Sequence, residues 1–228
     1  MIYHFFRHQA RYLSTNALCN SRRKAITQKW LDTIVNEERL CPFAPPVSQE
    51  PQLRIHISNA HNHDDIIHEI SSEAHLLIGK DGQSDDRSIS SIYRPETTLV
   101  VLNEDKCKSL SSFRDLVQLS WRVQSESILE NGYEKDLQIV LFHPLAVHNT
   151  YSFYQPSNET EEGDAGDYTI RSPFPTIHLL REKDVMKAVT SGYKDLEGLP
   201  SRNKAKLRIL GWKACKKKLE ACWGWDVN

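Results

Sequence analysis

Long apolar runs are missing from this chain: none approaches the ~20 residues a helix needs to cross a bilayer. Net charge is nearly missing too, at -1. So small an imbalance makes no field that would gather nucleic acid or an anionic membrane. There is no Gly-rich phosphate loop, no HExxH, no GxSxG and no EF-hand pattern. The cysteines, Cys19, Cys41, Cys107, Cys215 and Cys222, never form a CxxC pair. Their odd number and irregular spacing argue against a disulfide framework and a four-cysteine zinc site. They fit free thiols in a reducing compartment.

Acidic residues are missing from the start of the chain, where Asp32 is the first. Before it stand Arg7, Arg11, Arg22, Arg23, Lys24 and Lys29, with Ser14, Thr15, Asn16 and Ser21. An Arg-rich, hydroxyl-bearing, acid-free start is the signature of an organelle transit peptide. The reading is a leader over residues 1–22, mitochondrial in preference to plastid, with a cytosolic basic arm as the alternative. Residues 23–228 then form a single globular domain. A chain of 228 residues with 39% hydrophobic content is long enough to bury a core.

Periodicity predicts a helix from Lys24 to Leu40, with Ala25, Ile26, Trp30, Ile34 and Val35 inward. Pro42 ends it at "LCPFAPP". "LRIHIS" alternates as a strand, and "DDIIHEISSEAHLLI" is a helix with Asp64 at its start. "KDGQSDDRS" is a polar loop. "TTLVVLN", from Thr97 to Asn103, is β-branched and reads as a central strand. A helix over Ser109 to Leu129 faces Leu110, Phe113, Val117, Trp121 and Ile128 inward. Leu137 to His143 is the third strand. "SNETEEGDAGD" is a mobile acidic loop. Thr176 to Arg181 is the fourth strand, and three helices complete the chain. The fold class is α/β (or α+β): a mixed, mostly parallel sheet of about four strands flanked by helices, with the last strand a candidate for the antiparallel one. Ligand sites of such sheets lie at the carboxyl ends of the parallel strands, which points to Asn103 and His143.

Three residues carry the candidate chemistry. Cys41 follows a helix C-terminus and precedes Pro42. His143 ends an apolar strand. His178 lies between Ile177 and Leu179. A buried imidazole needs partners for both nitrogens. For each histidine a satisfied core group stands beside an acid-base or metal-binding role. If the third and fourth strands are neighbours, His143 and His178 approach one another. With Cys41 they would suit zinc, copper or iron, or haem, or equally a thiol nucleophile with a histidine base. Arg171 precedes "SPFP", whose stiff backbone would fix a guanidinium for a carboxylate or phosphate; an ion pair with the preceding acids is the alternative. Arg181, Glu182 and Asn203 complete the candidate substrate-binding set, with capping the alternative for Asn203.

The motifs "LCPFA", "FHP", "RSPFPTIHLLRE" and "LPSRN...L..LGW" resemble an uncharacterised bacterial and organellar family, a domain of unknown function, over about Lys24 to Trp212. Ile170 stands where that family often has Asn. The resemblance implies a site at Cys41, His143, Arg171, His178, Arg181, Glu182 and Asn203, and implies no reaction. The expectation is a small-molecule enzyme with a Cys/His/Arg cleft for an anionic substrate. The alternatives are a metal- or haem-binding accessory protein and a structural or partner-binding domain.

Overall fold

A computed structural model describes residues 19–42, 44–78, 95–148, 163–190 and 198–224. Four strands form one sheet: β1 (Leu53–Ile57), β2 (Thr97–Val101), β3 (Leu137–Phe142) and β4 (Thr176–Arg181). Among the described residues the α-helices are α1 (Asn20–Trp30), α2 (His63–Ile78), α3 (Phe113–Arg122), α4 (Glu182–Thr190), α5 (Leu199–Leu210) and α6 (Trp212–Ala221).

The strand order is β1-β2-β4-β3. β1 and β2 are parallel, while β4 runs antiparallel to both of its neighbours. The sheet is therefore mixed rather than mostly parallel. The physical reason is where β4 starts. The His143 N–H donates to the Ile170 carbonyl at 3.2 Å, so the lead-in to β4 begins at the end where β3 finishes. A strand that starts there must run back, and it inserts between β2 and β3. β1, β2 and β3 still point the same way, so their carboxyl ends share one rim.

Each face of the sheet carries its own core. On the first face α2 and α3 bring Ile66, Ile70, Leu77, Leu116 and Leu119 against Val100, Leu137, Ile177 and Leu179. On the second face α1, α5 and α6 bring Ile26, Trp30, Leu207 and Leu219 against Leu53, Ile55, Leu99 and Val101. β2 is buried at all five positions, which its β-branched, unalternating sequence requires of a strand covered on both sides. α3 opens with a capping box: the Ser112 hydroxyl accepts from the Asp115 N–H at 3.2 Å, and the Asp115 carboxylate accepts from the Ser112 N–H.

The first helix starts earlier than its periodicity suggests, at Asn20, inside the segment read as a leader. It buries Arg23 and Thr27, while Ala25 is exposed. It continues over Leu31–Asn36 as a π-helix, and a second π segment, Val123–Leu129, extends α3. Trp121 is 68% exposed rather than inward. The end of the acidic stretch is ordered as a 3-10 turn over Ala165–Thr169, with Gly166 and Asp167 buried. Residues 1–18, "KDGQSDDRS" and the first part of the acidic stretch lie outside the described residues.

Candidate functional site

Strand parity sorts the candidate residues. His178 pairs with Leu99 and Val140, and its neighbours Ile177 and Leu179 enter the first core. Its own ring therefore stands on the second face, 6.3 Å from the Phe142 ring. His143 follows Phe142 and so turns to the first face, 6.1 Å from the Phe113 ring. The third and fourth strands are neighbours, as the approach of the two histidines required, yet their register places the rings on opposite sides of the sheet. Among the described residues no group of three or more His, Cys, Asp or Glu is placed to hold a metal ion. Cys41 is half-buried and forms no disulfide among the described residues. Leu40 before it packs in the second core.

His143 is held by backbone on both sides. Its Nδ1 accepts from the Leu145 N–H at 3.0 Å, so Nε2 carries the proton and donates to the Leu110 carbonyl at 3.2 Å. Burial pushes its pKa down to about 4, and the nearby Arg171 charge adds to that. The ring is neutral and fixes the turn after β3.

His178 differs. Its Nε2 lies 2.5 Å from the Thr97 hydroxyl, which also lies 3.1 Å from the Leu179 carbonyl. A hydroxyl has one proton, and a carbonyl can only accept. Both contacts are satisfied when Thr97 donates to Leu179 and accepts from Nε2–H. That tautomer leaves Nδ1 with a bare lone pair and no partner among the described residues. Burial pushes the ring pKa down to about 4. The half of this face over β1 and β2 is sealed. Over β3 and β4 it is not: Gln138 is exposed, and Val140, Phe142, His178 and Leu180 are half-buried.

Arg171 sits at the rim where β1, β2 and β3 end. Its Nε donates to the Ala146 carbonyl at 3.1 Å, and its guanidinium lies over the Tyr168 ring at 4.7 Å. Trp30 fixes its backbone through an indole N–H to the Arg171 carbonyl at 3.0 Å. Asp167 is 3.9 Å from Nη2, a long ion pair of the kind the preceding acids offered. The arginine is thus held by Ala146, Tyr168 and Trp30. Ile170 offers its carbonyl to His143, donates its N–H to the Asp167 carbonyl and packs its side chain against the first core.

The remaining candidates are elsewhere. Asn203 donates to the Leu40 carbonyl at 2.5 Å, so it clamps α5 onto the segment before Cys41. Arg181 and Glu182 lie at the opposite end of the sheet. Arg181 pairs with Asp184 and, with Glu182, Lys135, Asp136 and Met186, lines a depression of about 260 Å³. The Glu182 N–H donates to the Asp136 carbonyl at 2.8 Å, starting α4.

Sequence reasoning missed a cluster at the β2 end of the same rim. Arg23 is 1% exposed and pairs through Nη2 with Asp105. Its guanidinium lies 4.8 Å from the Phe174 ring centroid. Beside it, burial raises the Glu104 pKa to about 6 against the opposing pull of Arg23. The rule that sends ligands to strand carboxyl ends pointed at this loop through Asn103. Nothing in the local pattern distinguished Arg23 from the basic residues around it.

The fold and its rim define a single-domain mixed α/β protein with polar groups gathered at the carboxyl ends of three co-directional strands. The chain belongs to a family described as a protein of unknown function, DUF1415, which it matches over residues 22–217. No curated protein and no solved structure matches it. No helix among the described residues is long and apolar enough to cross a membrane.

Proposed function

We propose that this protein is a small-molecule enzyme whose anionic substrate lies on the half-open sheet face over β3 and β4. The observation that carries the reading is the bare Nδ1 of His178, fixed in its tautomer by Thr97 on a face the helices do not seal. Neutral imidazole there is a hydrogen-bond acceptor and a proton acceptor. Its low pKa suits an empty site, because an anion bound beside the ring favours the protonated form and moves the pKa toward neutrality. We assign the fixed positive charge to Arg171, which stands at the rim beyond β3 with Asp167 3.9 Å from its Nη2. Cys41, one residue from the second core, is the thiol candidate on this side. Asn203 is a positioning residue, through its clamp on Leu40. The geometry gives no support to one metal ion shared by Cys41, His143 and His178.

The test is a thermal-shift screen of small carboxylates and phosphates against wild type and His178→Ala. The reading expects a compound that raises the Tm of wild type in a saturable way, leaves His178→Ala unmoved, and binds more weakly to Arg171→Lys. Compounds that shift both proteins equally, or no compound at all, would contradict it. We place the protein in mitochondria on the acid-free, Arg-rich stretch before Asp32. Import into isolated mitochondria should shorten the chain ahead of the helix that starts at Asn20; import without shortening, or none, would refute that placement.

A further inference from the structure

Buried guanidinium groups normally find acceptors for all their N–H groups, because an unmet buried donor costs stability. Arg23 does not. It is 1% exposed, and its Nε and Nη1 have no hydrogen-bond partner among the described residues. Those atoms lie on the two edges of the guanidinium, so donors remain on either side of the Nη2 that Asp105 takes. Phe174 covers one face of the group, and Trp223 backs Phe174 at 4.8 Å. Glu104 is close enough to feel the Arg23 and Asp105 charges, yet it forms no hydrogen bond or ion pair among the described residues. It is half-buried and directly precedes Asp105, the residue that pairs with Arg23. Unmet donors and an unused acceptor thus stand together, at the end of the sheet where ligands of such folds bind.

We infer that Arg23 and Glu104 form a binding site for a small zwitterion of the amino-acid type, with its carboxylate on Arg23 and its ammonium on Glu104. Charge decides the class. With Glu104 and Asp105 ionised, the three side chains sum to one negative charge. A simple anion would meet one of the Arg23 donors but face two carboxylates. A simple cation would satisfy Glu104 and leave the Arg23 donors unmet. A neutral ligand carrying both groups answers both and adds no net charge. The site is independent of the His178 reading, and either can fail without the other.

The test uses the full chain and three probes: glycine, acetate and methylammonium. The readout is the Arg23 Nε–H signal in a proton–nitrogen correlation spectrum, assigned by its loss in Arg23→Lys. Glycine should shift this signal in a saturable way, and the two single-charge probes should shift it far less. Glu104→Gln, altered at the partly exposed side of the site where folding is least at risk, should weaken glycine binding roughly tenfold or more. Binding should also weaken as pH falls through about 6, where Glu104 takes up a proton in the presence of Arg23 and Asp105. Acetate binding as well as glycine, and tightening at low pH, would show an anion site instead. A signal that no probe moves would show that water alone fills the gap. Either result overturns the inference.

Discussion

His143 offers a stability prediction whose size can be worked out from the structure. The ring is 1% exposed, with Nδ1 facing the Leu145 N–H and Nε2–H facing the Leu110 carbonyl. A second ring proton would set donor against donor at Leu145, inside an apolar core. Burial lowers the folded-state pKa from the ordinary 6.5 to about 4. Between these values the unfolded chain holds a proton that the folded protein lacks. Stability contributed by neutral burial is therefore present above about 6.5 and is lost as pH falls toward 4. The loss from this residue amounts to roughly 2 kcal/mol between pH 7 and pH 5. His178 pushes in the same direction. Glu104 pushes the other way, since a raised carboxyl pKa makes the folded state gain stability as pH falls through about 6. The comparison that isolates His143 is wild type against His143→Gln, by urea unfolding followed through tryptophan fluorescence at pH 7, 6 and 5. The variant should be less stable at pH 7, by roughly 1–3 kcal/mol for its disturbed backbone partners. That gap should narrow by about 2 kcal/mol at pH 5. A gap that stays constant across the three pH values would refute the neutral-ring assignment.

Thr97→Val should leave the His178 Nε2–H without its acceptor, at a cost of roughly 1–3 kcal/mol, and the ring nitrogen spectrum should no longer report a single tautomer. An unchanged spectrum would mean that Thr97 does not set it. Ser112→Ala removes one half of the α3 capping box and should cost about 1 kcal/mol in chemical denaturation; a change within error would count against the box. Gly166→Ala brings a Cβ to 3.3 Å from the Lys204 Cβ and 3.1 Å from an Asp164 carboxylate oxygen. It should destabilise the docking of α5 on the Ala165–Thr169 turn by roughly 1–3 kcal/mol, read as a lower Tm; an unchanged Tm would show that α5 has room to shift.

Local pattern carried much of the fold. The β-branched run at Thr97 and the apolar run at Leu137 mark two strands directly, and Pro42 marks where the first helical segment has ended. Inward faces were less legible. Leu110, Phe113, Val117 and Trp121 are mostly four residues apart, and each such step turns about 40° beyond a full circle. Leu110, Phe113 and Ile128 are buried as expected, but the stripe has drifted off the core by Trp121, and Leu116, Leu119 and Val123 are buried beside it. The place of β4 depends on pairing between distant segments, which no local pattern contains. The same register explains the histidines. Phe142 pairs with Thr176, so His143 shares its side with Ile177 and not with His178. Candidate residues could be named from composition and motif, but parity decided which of them meet. Arg23 was hidden for another reason: a buried arginine and a solvated one look alike in a basic stretch.

The measurement that bears most directly on the proposed site is a long-range proton–nitrogen spectrum of the His178 ring, taken with and without a carboxylate or phosphate compound that binds the protein. In the free protein Nε2 should be protonated and Nδ1 bare. With the compound bound, the Nδ1 resonance should move toward the protonated or strongly hydrogen-bonded range while the His143 ring stays unchanged. A His178 Nδ1 that stays put with every bound acidic compound would contradict the account.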